Sequence, residues 1–586
     1  MRKILFLIIC LLVSAGTLSA QAISSSETSE FRGGIPQEKM FVHYNTSLLF
    51  SGEYLYYKAY TVNSETEKPS NISKTGYVEL IAKDGTSVFK HKLSLKNGLG
   101  AGDFFIPTTI PSGTYKLLGY TNWMRNSGNF FAGDIVIINP YRGDQSALTP
   151  DSTRRTDSVK AAPASFSSEN PTTAAPEHAI QLSTHKMRFG TRDQVLLTLS
   201  GDISGRYSVS VRKKDSIPFP EKVSAKTYTR LFEKNHSPQD SVYIPELRGN
   251  LISGKLLSTS SEGINPAGKK VAFSIPGEDY IFKIATADEK GRFYLNLDEE
   301  FSTSEAIMQV LGEARKDLSI QLDPEPAVNP ANTKFTGFHI TPQMEEWILD
   351  RSVYNQIENA YYSVKPDTLK QQQEIEPFYQ KSPTLYDLDA YTRFATIKET
   401  FVEIIMYSYL SRDKEGNRII VVRQPEGATN YNLPTLLLVD GIMVQDHSRF
   451  IDYPAKRVKS IGILKDNVFL GSHIFAGVID VKTIEGDFWR TNPDEAATTV
   501  NIKLAEPQKN YFHQTYGDSN ETTARIPDFR TQLLWKPDVN FNKEETVLEF
   551  YTSDISGVFE IELQGFTEDG KPVTVKRTIT VEDELK

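Results

Sequence analysis

Residues 436–483 read LLLVDGIMVQDHSRFIDYPAKRVKSIGILKDNVFLGSHIFAGVIDVKT. Leu436, Leu437, Leu438 and Val439 form a continuous apolar run of the kind a buried sheet gives, and Asp440-Gly441 follows as a dipeptide that accepts positive φ in a tight hairpin turn. Ile442 to Val444 returns as a second strand. Val458, Ile461, Ile463 and Leu464 predict a third, and Gly477-Val478-Ile479-Asp480-Val481 a fourth, with Gly471 and Gly477 marking the turns. A small mixed sheet is expected.

The order of these pieces is informative. VDG, a strand ending in Ile-Leu-Lys, a glycine and then GVIDVKT resembles the plug domain of TonB-dependent outer-membrane transporters, through Val439, Asp440, Gly441, Leu464, Lys465, Gly471, Gly477, Val478, Lys482 and Thr483. Two positions depart from that pattern. Lys465 is followed by Asp466 rather than glycine, and Gly471-Ser472-His473 stands where the family carries Tyr-Gly-Ser. The resemblance implies a plug-like domain over residues 412–487. In that family a membrane barrel follows, whose strands need roughly 9 to 11 residues each. Only 586 − 483 = 103 residues follow Thr483, so a gate without its pore is expected.

The 586 residues carry a formal net charge of −9 and no basic run, which argues against a grip on nucleic acid, since that needs Lys/Arg patches to displace phosphate counterions. The length predicts about three to five domains. Arg2-Lys3, the apolar stretch from Ile4 to Val13 and Ala20-Gln21-Ala22 together read as a secretory signal peptide over residues 1–22. Cys10, the one cysteine, lies inside that segment. The exported protein would then have no disulfide, thiol nucleophile or thiolate metal site, and would rest on packed cores alone. With no second apolar segment of spanning length, it is expected to be soluble or peripherally bound to a membrane.

Toward the N-terminus, KMFVHYNTSLLFSGEYLYYKAYTV alternates with period two, and KTGYVELIAKDGTSVFKHKLSL adds a hairpin at Asp84-Gly85. A β-sandwich is predicted over 36–141. Ser51-Gly52-Glu53 leading into Tyr54 to Tyr60, with Pro111-Ser112-Gly113-Thr114-Tyr115-Lys116, resembles the MG2 domain of the α2-macroglobulin family. The aromatics are read as sandwich core, not as a ligand cage. Residues 142–178, rich in Ser, Thr, Ala and Pro, are expected to be a flexible linker. A second sandwich follows over 179–245, similar to the next macroglobulin domain through the SVSVRK strand at Ser208–Lys213. Over 246–325, Asp288 to Phe293 resembles the D-x-x-G-x-F turn of carboxypeptidase regulatory-like domains. That turn is read as a bare turn rather than a calcium loop, which would need alternating Asp/Asn and a distal Glu.

Residues 341–411 have a helical texture. Trp347, Ile348, Val353, Ile357 and Tyr361 are placed near one helix face, and Ile397, Phe401, Ile404 and Ile405 on another. From 488 to 586 the pattern is β again. LLWKPDV at 533–539, the strand at 546–551 and the close at Thr567-Glu568-Asp569-Gly570 resemble a further macroglobulin domain, with a departure at Ser553-Asp554-Ile555-Ser556. The fold class expected is therefore mainly β and multidomain, with Ig-like or macroglobulin-like sandwiches and a small α+β plug-like domain. Together these resemblances point to a family of envelope proteins from Bacteroidota.

Catalytic motifs are missing from the sequence. The nine histidines form no metal-ligand spacing, there is no phosphate-binding loop and no nucleophile elbow, and Gly98-x-Gly100-x-Gly102 lacks dinucleotide spacing. The Cys-Gly-Glu-Gln thioester of protease-trapping macroglobulins is absent, and Glu345-Glu346 reads as a solvated helix face. The function expected is a non-catalytic binding or scaffold protein of the Gram-negative envelope, periplasmic or at the outer membrane. It would have no cofactor, no nucleic-acid partner, and a barrel or transporter component as protein partner. The alternatives are a thioester-independent protease trap with 147–176 as bait, or an envelope enzyme.

Overall fold

The computed structural model describes residues 35–149, 180–231, 243–260, 263–325, 328, 333–371, 375–424, 433–516 and 526–583. The signal-peptide reading and the body of the expected linker lie outside them. Two compact units account for the chain, one including 250–326 and 372–504, the other 35–249, 327–371 and 505–586. The architecture is mainly β and multidomain.

The unit beginning at residue 35 holds two sandwiches. In the first, Glu38–Tyr44, Tyr54–Asn63 and Leu99–Phe105 form an antiparallel sheet in which Tyr57 stands opposite both Tyr44 and Gly102. It faces a five-stranded sheet of Leu48–Phe50, Phe131–Ile138, Gly113–Thr121, Thr75–Ala82 and Ser87–Ser94, in that order. Met40, Val42, Tyr57 and Ala59 point into this core, where glycines make room for the large rings: a Cβ on Gly102 would lie 2.5 Å from the Tyr57 hydroxyl.

The second sandwich departs from the sequence reading. Its five-stranded sheet runs Arg188–Phe189, Pro572–Val581, Gly557–Thr567, Gly205–Lys213, Gln532–Phe541, and its three-stranded sheet Thr546–Tyr551, Gln194–Ser200, Gln181–Thr184. Strands from the stretches 179–245 and 488–586, expected as separate domains, thus build one core. Val209 and Val211 stand opposite Leu563 and Ile561 in register, and both strands bury the same face. Gly205–Lys213 has long strands on both its edges, and both come from beyond residue 530.

Two further boundaries move. Residues 142–149 of the expected linker are packed: Leu148 is fully buried beside Leu48 and Phe50, and its carbonyl accepts from Ile340 N at 2.8 Å. The expected 341–411 segment is split between the units, since the helix Glu345–Ala360 belongs to one and the helix Ile397–Glu403 to the other. The first helix also buries a different face from the one expected. Val353 is exposed, while Arg351, Ser352 and Asn355 are buried. Trp347 and Ile348 of the expected face do pack against Phe50 and its neighbours, but beyond them the surface presents carbonyls: Arg351 Nη2 donates to Leu48 O at 2.9 Å, Asn355 Nδ2 to Ser51 O at 2.5 Å and Asn359 Nδ2 to Gly52 O at 3.0 Å. In the second helix Ile397 and Phe401 are buried four residues apart as read, and Ile405 is buried just beyond its end.

In the other unit, Arg292–Leu297, Asn250–Ser258 and Leu318–Leu322 pack against Ile281–Thr286, Lys270–Ile275, Glu305–Val310 and Ala497–Asn501. The last strand comes from the stretch assigned to the C-terminal domain. The Asp288 carboxylate accepts from Lys290 N and Arg292 N, both at 2.8 Å, so the turn closes on its own amides. The segment that opened the sequence reading forms a five-stranded mixed sheet, ordered Thr384–Asp387, Val458–Leu470, His473–Thr483, Leu436–Val439, Ile442–Met443. Leu436–Val439 runs parallel to His473–Thr483.

Candidate functional site

The plug-like residues do not converge on a cavity; they hold a sheet that is covered on both faces. Val439, with Leu437, Ile461, Ile463, Ile479 and Val481, packs under Phe401 and Phe450. Leu464 and Val478, with Leu436 and Leu438, pack on Ala272, Tyr280 and Phe282 of the neighbouring sandwich. Asp440 and Gly441 adopt φ of +52° and +81°, as a two-residue hairpin of mirror-image type requires. The Asp440 carboxylate is buried and accepts from Thr483 N (2.8 Å), Thr483 Oγ1 (2.7 Å) and Phe488 N (3.2 Å). A Cβ on Gly441 would lie 2.2 Å from Tyr280 Cβ, and one on Gly477 2.7 Å from Leu464 O. Lys465 lies 4.2 Å over the Tyr407 ring, Lys482 donates to Glu278 O at 3.3 Å, and Gly471 turns the long hairpin at φ +58°. Each of these positions is explained by packing or turn geometry.

His447, in the connection after Ile442–Met443, gives this unit a pH signature. Its Nδ1 accepts from Ile420 N at 2.9 Å, and burial holds the imidazole down at about 4 despite Asp446. A depressed histidine contributes stability above its unfolded value of 6.5 that is lost as pH falls toward 4. Lowering pH from 7 to 5 is therefore expected to cost this unit about 2 kcal/mol through His447. Urea midpoints at the two pH values check it, and His447→Gln should flatten that part of the profile.

The other unit contains a cleft that does gather side chains. Strand Tyr54–Asn63 alternates faces, so while Leu55, Tyr57 and Ala59 enter the first core, Tyr54, Tyr56, Lys58 and Tyr60 face the second sandwich. The sequence reading placed all these aromatics in the core; Tyr57 and Tyr60 are there, Tyr60 against Phe41 and Phe566, while Tyr54 and Tyr56 line a cleft. Tyr362, Tyr54, Tyr56 and Trp535 form a ladder of nearly parallel rings, with successive centroids 6.0, 5.7 and 5.9 Å apart and interplanar angles of 15°, 15° and 23°. Tyr511 meets Tyr56 edge-on at 5.2 Å. These rings line a cavity of about 160 Å³.

Charged groups at this cleft are held in place by others. Arg351 is 3% exposed, donates to both Glu53 oxygens (2.8 and 2.9 Å) and to Asp215 (3.0 Å), and lies 4.8 Å from the Phe50 ring centroid. Burial alone would raise the Glu53 carboxyl, but Arg351 and Arg212 hold it below the usual range. Glu358 accepts from Lys365 Nζ and Phe529 N, and Arg530 clamps Asp528 through two donors at 2.7 and 2.6 Å. None of these groups was legible as a site, because Glu53 and Arg351 are 298 residues apart and only the fold joins them.

One buried set has the connectivity of a nucleophilic triad. Ser208 Oγ is 2.6 Å from His43 Nδ1, and His43 Nε2 is 3.5 Å from Glu562. Yet Ser208 is 0% exposed, and Tyr60 OH donates to its Oγ at 2.8 Å. Burial lowers the His43 imidazole although Glu562 opposes it, while Lys222, His43 and Lys576 together hold Glu562 well below its ordinary range against the opposing effect of burial. No substrate carbonyl has room beside that oxygen, so the set acts as a polar clasp between the two sandwiches.

Among the described residues no helix is long and apolar enough to cross a membrane, and no group of three His, Cys, Asp or Glu is placed to hold a metal. No protein-family model and no curated protein matches the chain. Among solved structures it is similar to E. coli alpha-2-macroglobulin activated by porcine elastase (10% identity, 93% of this chain and 44% of that one, TM-score 0.24). The native conformation of the E. coli protein gives 10% identity, 93% and 40% coverage and a TM-score of 0.24, and its trypsin-activated form 9%, 93%, 41% and 0.23. The chain thus spans less than half the length of these bacterial macroglobulins, and likeness at this level assigns it neither an activity nor a partner.

Proposed function

We propose that this chain is a non-catalytic binding or scaffold protein of the cell envelope, working at the outer membrane with a barrel or transporter component as its partner. The observation that carries the reading is the ring ladder Tyr362–Tyr54–Tyr56–Trp535, set in a cleft whose charges are already held by one another. Tyrosine and tryptophan rings supply large contact area at low entropy cost, and paired charges hold the walls without offering an acid or base to a reaction. The plug-like sheet then serves as a fixed part of its own unit. With both its faces covered, its role is to carry that unit rather than to enter a pore.

Crosslinking in envelope fractions followed by co-purification should recover an outer-membrane barrel or transporter component with the wild-type chain. Tyr54 is half-buried and Tyr362 exposed, so replacing both by alanine spares the cores. That variant should reduce recovery about tenfold, the effect of losing roughly 1.4 kcal/mol of contact, with an unchanged melting temperature. Recovery of the chain alone, or undiminished recovery by the variant, would refute the reading.

A further inference from the structure

We propose that the cavity over Lys58 is a binding site for a small organic anion, a monocarboxylate carried on an apolar body. The inference is independent of the protein-partner reading. Lys58 lies on the outward face of strand Tyr54–Asn63, between Tyr56 and Tyr60, where a strand facing solvent would leave a lysine in water. The second sandwich covers that face instead, and Lys58 is 5% exposed. Among the described residues its ammonium has neither a hydrogen bond nor an ion pair.

It lines a cavity of about 240 Å³ whose cationic groups include Arg206 and Lys370 and whose apolar wall includes Tyr60, Leu99, Pro537 and Phe566. Three acids also line this space, and each is paired or exposed. Asp538 pairs with Arg206 at 3.3 Å, Glu506 with His91 at 3.5 Å, and Glu568 is exposed. Lys509 is taken by Asp103 at 2.8 Å.

A buried ammonium without a counter-charge is costly, and a native structure that keeps one has a use for it. Burial pushes Lys58 down to about 8, Lys370 and Arg206 press in the same direction, and Asp538 opposes them. A carboxylate seated against Lys58 would supply the missing counter-charge at short range, where water does not screen it. The aromatic, proline and leucine wall selects an apolar body behind that single charge and disfavours a compact, heavily hydrated phosphate.

The test uses the full chain, with benzoate as probe and benzamide and inorganic phosphate as controls. Acylation of Lys58 by an amine reagent at pH 8, followed by peptide mass spectrometry, should be slowed at least tenfold and saturably by benzoate, and by neither control. Benzoate should also raise the melting temperature of the wild type but not of Lys58→Met. Unchanged labelling in benzoate, equal protection by benzamide or phosphate, or a benzoate-induced shift surviving in Lys58→Met would overturn the proposal. The labelling arm is read on wild-type protein, so it decides the matter even if the variant fails to fold. It is also read without any partner, so its failure and that of the partner reading are distinguishable.

Discussion

Replacing Arg351 by methionine should lower the stability of the unit that begins at residue 35 by about 3–5 kcal/mol, the usual consequence of removing one partner of a buried ion pair. The methionine keeps an apolar stem near Phe50 and Trp347 but leaves Glu53 and Asp215 buried without their shared guanidinium. It also removes one of the two side-chain donors to the Leu48 carbonyl, leaving Thr46 Oγ1 at 3.1 Å. Urea unfolding followed by tryptophan fluorescence measures the loss, since Trp347 sits on the same helix one turn away. A double variant carrying Asp215→Asn as well should recover part of it, because the Asp215 charge is then gone and Glu53 keeps Arg212 at 3.4 Å as its counter-charge. A loss below about 1 kcal/mol in the single variant would show that the network is solvated rather than buried. The same network has an acid limb. Glu53 is held below its ordinary value, so its contribution is present at neutral pH and is lost as pH falls through the folded value.

Asp440→Ala should be nearly as damaging, by about 3–4 kcal/mol, and for two separate reasons. The carboxylate is the acceptor for Thr483 N, Thr483 Oγ1 and Phe488 N, and each buried donor left unsatisfied costs on the order of 1–3 kcal/mol. The residue also sits at φ +52°, which aspartate, asparagine and glycine accept more readily than alanine. Asp440→Asn keeps the φ preference and one acceptor oxygen, and should retain more than half the lost stability. Hydrogen exchange at the Thr483 and Phe488 amides is the direct readout. Protection should fall about three-hundredfold in the alanine variant, the equivalent of roughly 3.4 kcal/mol if both amides exchange through opening of the unit. Unchanged protection would mean that the carboxylate does not hold this hairpin to the strand beside it.

The site shows where sequence reading reaches its limit. Aromatics along Tyr54–Tyr60 were legible as a period-two strand, but which face met a core was not, because both do. The strand's second face is covered by residues 532–538 and 564–568, which nothing local to residue 54 can announce. The helix at 345–360 was legible as a helix, yet its buried residues are Arg351, Ser352 and Asn355, because the surface under that part of it presents carbonyls and a carboxylate. Ser208, His43 and Glu562 carry no motif at all, since their spacing along the chain reflects only how two sandwiches happen to stack.

What the sequence by itself determined is local: the strands and their alternation, the turns at Asp84-Gly85, Asp288–Gly291 and Asp440-Gly441, and a mainly β, multidomain class. These follow from short-range sterics and side-chain period, which act within a few residues. The tertiary structure alone decided which distant strands share a sheet, as Gly205–Lys213 does with Gln532–Phe541 and Gly557–Thr567, and Glu305–Val310 with Ala497–Asn501. It also decided that Lys58 is buried. The physical reason is that a strand's edge offers the same backbone donors and acceptors to any partner, so the choice rests on complementary apolar faces that meet only when the chain has folded.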